Sequence, residues 1–123
     1  MSENKIFDQI KAQISTNHLV LYMKGTAEFP QCGFSAMVVG ILQTMGAKFK
    51  DINILDDAEL RQGIKDFSDW PTIPQLYISG KFVGGCDIVR EIYESGELLT
   101  MIKDMHDARQ VNERAHADSA VSL

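Results

Sequence analysis

Two cysteines, Cys32 and Cys86, are the side chains of this sequence best suited to chemistry. A thiolate is a nucleophile and a metal ligand, and a thiol is neither, so position decides which of them can act. Cys32 lies in Pro30-Gln31-Cys32-Gly33-Phe34-Ser35, immediately before the clearest helical pattern of the chain. A sulfur there faces unpaired backbone N–H groups and the positive end of a helix dipole, and both favour ionisation. Cys32 also stands in a strand-to-helix loop, off any apolar stripe, unlike a buried structural cysteine. Cys32-Gly33-Phe34-Ser35 has C-x-x-C spacing with serine in the last place. A second sulfur would resolve a mixed disulfide, and a hydroxyl cannot. Intramolecular dithiol chemistry is therefore excluded at this motif. Cys86, between Gly84-Gly85 and Asp87, reads as a buried thiol, and Asp87 as a helix N-cap. His18, His106 and His116 share no ligand spacing with cysteines or acids and read as surface or sheet-edge residues. The methionines of the helix after Cys32 read as core.

The elements that position Cys32 follow from periodicity. Ile6, Ile10 and Ile14 predict an amphipathic helix over residues 4–15. Leu19 to Met23 is a continuous apolar run, suited to a strand buried on both faces. Gly25 to Gln31 is a loop. Phe34, Met37, Val38, Ile41, Leu42 and Met45 recur at helical spacing, with Gly46 to close the helix. Lys48 to Ile54 reads as a strand. Asp56 is the expected cap of the next helix, with Glu59 as its capping-box partner and Leu60, Ile64 and Phe67 as its stripe. Ser79-Gly80 joins two short strands, Gln75–Ile78 and Lys81–Val83, into a hairpin. A helix bearing Val89, Ile92 and Tyr93 is interrupted at Gly96, and Leu98, Leu99, Ile102 and Met105 form a last stripe. The order α-β-α-β-α-β-β-α-α predicts a parallel pair, a hairpin and hence a mixed four-stranded sheet between helices. This is the three-layer α/β/α, thioredoxin-type layout.

A chain of 123 residues fits one domain. The folded unit is expected over 1–107, followed by a polar, flexible tail from Ala108 to Leu123. A formal net charge of -5 argues against nonspecific nucleic-acid binding, which needs a positive surface. No apolar run is long enough to cross a bilayer. Met1-Ser2-Glu3-Asn4-Lys5 lacks the basic-then-apolar order of a secretory signal and the arginine of a transit peptide, so a cytoplasmic location is expected.

Four motifs stand in order: Lys24-Gly25-Thr26, Pro30 to Ser35, Trp70-Pro71-Thr72-Ile73-Pro74-Gln75 and Gly84-Gly85-Cys86-Asp87. Together, from about Phe7 to Lys103, they resemble the monothiol glutaredoxins of the CGFS type. The resemblance implies a cis peptide bond before Pro74, with the backbone of Ile73 turned to the thiol so that glutathione can pair there. It implies Lys24 and Arg61 for the glycine carboxylate of glutathione, although either reads equally well alone as a solvated surface charge. It places Cys86 and Asp87 against the γ-glutamyl end, largely through backbone N–H groups. It further implies that Cys32 ligates a [2Fe-2S] cluster. Such a cluster needs four ligands, which two chains and two glutathiones would supply in a bridged homodimer. The implied role is cluster carriage in iron–sulfur assembly or iron homeostasis, with BolA-type and recipient proteins as partners. Two alternatives stay open. Cys32 could catalyse weak glutathione-dependent thiol–disulfide exchange, an enzyme reading. Or Cys32 and Cys86 could both ligate a cluster, giving a four-cysteine site without glutathione.

Overall fold

The computed structural model describes residues 2–108, with side chains from Lys5 onward. The strands are β1 (Leu19–Met23), β2 (Lys50–Asn53), β3 (Gln75–Ile78) and β4 (Lys81–Gly84). The helices are α1 (Ser2–Thr16), α2 (Gly33–Thr44), α3 (Ala58–Ser68) and α4 (Cys86–Glu94). A further helix, α5, occupies residues 97–108 of the described chain. The sheet order is β2-β1-β3-β4, with β1 parallel to β2 and antiparallel to β3, and β3 antiparallel to β4. This is the mixed four-stranded, thioredoxin-like sheet that the pattern predicts.

β1 alternates its side chains between the two faces, and both faces are covered. Leu19, Leu21 and Met23 pack with α2, α4 and α5 through Val38, Leu42, Val89 and Leu98. Val20 and Tyr22 pack with α1 and α3 through Ile10, Ile14, Leu60 and Ile64. A strand buried on both faces favours apolar side chains throughout, as Leu19 to Met23 shows, with the one hydroxyl, that of Tyr22, donating to Gln13. At the hairpin, Ser79 and Gly80 both have positive φ, 50° and 79°, as a two-residue turn matched to sheet twist requires.

Four local expectations are corrected. Asp57, not Asp56, caps α3, accepting from Leu60 N–H at 3.1 Å, because Ile54–Asp56 forms a 3-10 turn that moves the helix start one residue on. Phe34 and Met37 lie on the helical stripe but are 61% and 39% exposed, whereas Ser35 between them is fully buried. Met37 is therefore not a core methionine. Leu99 is likewise exposed on α5. Ala108 is still helical, one residue past the expected domain end. The rest of the expected tail, and His116 with it, lies outside the described residues. His18 and His106 are exposed, as expected.

Candidate functional site

Cys32 occupies the N-cap position of α2, with extended backbone (φ -150°, ψ 137°) and its carbonyl accepting from Ala36 N–H at 2.9 Å. Its thiol lies below the ordinary thiol range. The N–H of Ser35, in the first turn of α2, contributes most to that lowering. The N–H of Phe34, the charge of Lys24 and the Ser35 hydroxyl add to it, and slight burial opposes them. The helix start expected to favour a thiolate thus acts through the particular amides of residues 34 and 35. Both cysteines are free thiols.

A groove of about 380 Å³ runs past Cys32, within the roughly 300–1,000 Å³ of small-ligand sites. One side is the end of β1 and the start of α2, with Lys24, Cys32 and Phe34. The floor is Trp70 to Ile73, and the far end is Gly85 to Ile88 at the start of α4. The Ile73–Pro74 peptide is cis. Gln75, fully buried, holds the floor: its Nε2 donates to Trp70 O at 3.1 Å and to Thr72 O at 3.2 Å. Gly84 has φ 154°, and a Cβ there would meet the Ile88 side chain at 2.7 Å. A Cβ on Gly85 would crowd Pro74 O at 3.2 Å and Trp70 Nε1 at 3.3 Å. The glycine pair therefore lets α4 close against the floor.

Lys24, Cys32, Ile73, Cys86 and Asp87 are brought together on this groove, and Arg61 is not. Arg61 is exposed one turn earlier on α3, and Lys65, four residues on, lines the groove instead. Cys86 is half-buried, packing against the core while also lining the groove, and its Sγ lies 3.5 Å from Met37 Sδ. Its thiol is pushed up by burial first, then by the charges of Asp87 and Cys32. Asp87 caps nothing. The N-cap of α4 is Gly85, without a side-chain bond. The Asp87 side chain is 88% exposed and 3.9 Å from Arg90 Nη2, which leaves its carboxylate free for a ligand. Lys65 and Thr72 also line the groove, and Gln75 supports it from beneath. Only the four-residue spacing from Arg61 to Lys65 along one helix face could have flagged the lysine.

A thiol of lowered pKa at a helix start, with serine where a second motif cysteine would stand and a cis-proline turn beside it on a thioredoxin-type sheet, defines a monothiol member of that fold class. Residues 19–83 match the glutaredoxin family model. A probable monothiol glutaredoxin 2 of Rickettsia conorii is 59% identical over 103 residues, covering 84% of this chain and 96% of that protein. Monothiol glutaredoxin-5, mitochondrial, of Saccharomyces cerevisiae is 50% identical over 98 residues, 77% of this chain and 65% of that one. The solution structure of reduced apo GrxS14 from poplar superposes with a TM-score of 0.77 at 47% identity, covering 86% of this chain and 98% of that one. A buckwheat glutaredoxin–glutathione complex, at 22% identity and a TM-score of 0.77 over 85% of this chain and 94% of that one, shares the fold. The chain belongs to the glutaredoxin family, in its monothiol branch.

Proposed function

We propose that this protein binds glutathione in the Cys32 groove and, through Cys32 and that glutathione, carries a [2Fe-2S] cluster between two copies of itself. The observation that carries the reading is the groove itself, which brings Cys32 at a helix start together with charges of both signs, Lys24, Lys65 and Asp87. Glutathione has two carboxylates and one ammonium. Lys24 and Lys65 suit a carboxylate, and Asp87 suits the ammonium. The cis turn leaves the Ile73 backbone available to pair with an extended tripeptide. The donor set supports borrowed ligands. Among the described residues no three of His, Cys, Asp and Glu gather to hold a metal ion, and Cys86 favours its neutral thiol. Each chain would then give one thiolate and each glutathione another, completing four. Because half the ligands are held without covalent attachment, the cluster could pass to recipient proteins, and a BolA-type partner could replace one protomer.

The test is the visible spectrum and the size of protein prepared without oxygen, with and without glutathione. Coloured dimer with glutathione and colourless monomer without it is the expected result. Colour independent of glutathione, lost on Cys86→Ser, would establish the four-cysteine site instead.

The lowered thiol also favours a second reading, glutathione-dependent exchange. The Cys32 thiolate would attack the glutathione sulfur of a mixed disulfide, expelling the other thiolate and becoming glutathionylated. A second glutathione thiolate would then release glutathione disulfide and regenerate Cys32, with no need of a second protein cysteine. Turnover of a glutathionylated peptide measures it, and slow turnover beside a stable cluster would favour carriage.

A further inference from the structure

The segment from Lys24 to Cys32 joins β1 to α2, and its two ends are the ammonium and the thiolate that share the groove. Its own bonds close it into a small hairpin. Gln31 N–H donates to Lys24 O at 2.9 Å, Thr26 N–H to Phe29 O at 3.3 Å, and Phe29 N–H to Thr26 O at 3.1 Å. None of these bonds fixes the hairpin to the rest of the fold. Three side chains outside it do. Ser35 Oγ accepts from Lys24 N–H at 3.1 Å, Asn53 Oδ1 from Gly25 N–H at 2.9 Å, and Asp51 Oδ2 from Ala27 N–H at 2.8 Å. Asp51 and Asn53 are two apart on β2, so they leave the strand on one face. A carboxylate makes the stronger, charge-assisted bond of the set. Asp51 lines no part of the groove.

We propose that Asp51 is a positioning residue: by holding Ala27, with Asn53 on Gly25 beside it, it fixes the Gly25–Gln31 loop so that Lys24 and Cys32 face one groove. The inference deepens the reading of this groove as a thiolate centre and rests on it. Without the carboxylate, Ala27 N–H has no partner, and the middle of the loop keeps only the packing of Ala27 against the core. Ser35 still holds Lys24 N–H, but the looser loop restrains the Lys24 ammonium less closely beside Cys32.

The test compares Asp51→Ala and Asp51→Asn with the unaltered reduced chain, folding being checked by circular dichroism. Amide exchange at Ala27 reports the tether, and the pH profile of Cys32 alkylation at low ionic strength reports the relation of Lys24 to the sulfur. In Asp51→Ala, Ala27 should exchange about tenfold faster, the loss expected for one charge-assisted bond. The alkylation midpoint should move to higher pH. Asp51→Asn keeps an oxygen that accepts the same N–H and should restore both. Unchanged exchange at Ala27, an unchanged profile despite faster exchange, or failure of Asp51→Asn to restore it would each overturn the proposal. Should Asp51→Ala not fold, Asp51→Ser, too short to reach Ala27, carries the same two readouts. Neither readout needs a cluster. A protein that binds no cluster yet shows both shifts would refute cluster carriage and keep this role for Asp51.

Discussion

Cys32 and Cys86 line the same groove yet are driven in opposite directions. Two backbone amides and a lysine lower the Cys32 thiol, whereas burial and two neighbouring negative groups raise that of Cys86. At pH 7, iodoacetamide should therefore modify Cys32 well before Cys86, and mass mapping of partly alkylated protein checks the order. Equal labelling would contradict the local electrostatics. The selectivity should shrink as pH rises through the raised Cys86 value, because the second thiolate then forms. Gly25 is the other residue with a sharp expectation. Its φ is 89°, and a Cβ would stand 2.5 Å from Phe29 O and 2.6 Å from Gln31 N. Gly25→Ala should cost at least about 1–2 kcal/mol from the left-handed backbone alone, measured by urea unfolding. Cys32 was legible in the sequence because its evidence is local: a loop position, a helix start and a serine in place of a second sulfur. Arg61 and Lys65 share a helix face one turn apart, and Lys65 lines the groove, so spacing in the sequence does not by itself say which of the two meets it.

Among the elements, the floor of the groove depends on a residue that does not line the groove. Gln75 begins β3, is fully buried, and spends both amide hydrogens on the carbonyls of Trp70 and Thr72. Its oxygen accepts from Tyr77 O–H at 3.3 Å. Gln75→Met keeps the volume and removes these partners. Two carbonyls and a hydroxyl left without bonds should cost about 2–4 kcal/mol. Trp70 lies against Phe82 with ring centroids 5.8 Å apart, so its fluorescence should change as the floor loosens. An unaltered emission spectrum in a destabilised variant would show that the floor is held by other means. Strands and helices were legible from period alone, and the hairpin from Ser79-Gly80. Their ends were not. The 3-10 turn Ile54–Asp56 shifts the α3 cap to Asp57, and the approach of α4 makes Gly85 the cap where Asp87 was expected. Caps respond to the direction of chain entry, which tertiary packing fixes.

The whole molecule is a sheet covered on both faces, and its α1–α3 face carries two buried tyrosines. Tyr22 and Tyr77 meet edge to face, 5.6 Å apart. Burial pushes the Tyr77 hydroxyl up to about 12 and raises Tyr22 further. An unfolded tyrosine ionises near 10, so the folded state keeps protons that the unfolded state releases above that pH. The tyrosine contribution to stability should be level below pH 10 and fall as pH rises from there through about 12. Urea midpoints between pH 8 and 12 measure it, and Tyr22→Phe should flatten the fall. The two packed faces also account for Phe34, 61% exposed at the groove mouth, and Phe29, 71% exposed on the adjoining loop. Neither belongs to the core, and Phe34 lines the groove at which, in the proposed function, a second copy would share a cluster. That sharing is the central claim, and anaerobic reconstitution of the Cys32→Ala chain with iron, sulfide and glutathione tests it most directly, with size and visible absorption read together. The account predicts a colourless monomer, against a coloured dimer for the unaltered chain; an alanine chain that becomes coloured and doubles in mass would contradict it.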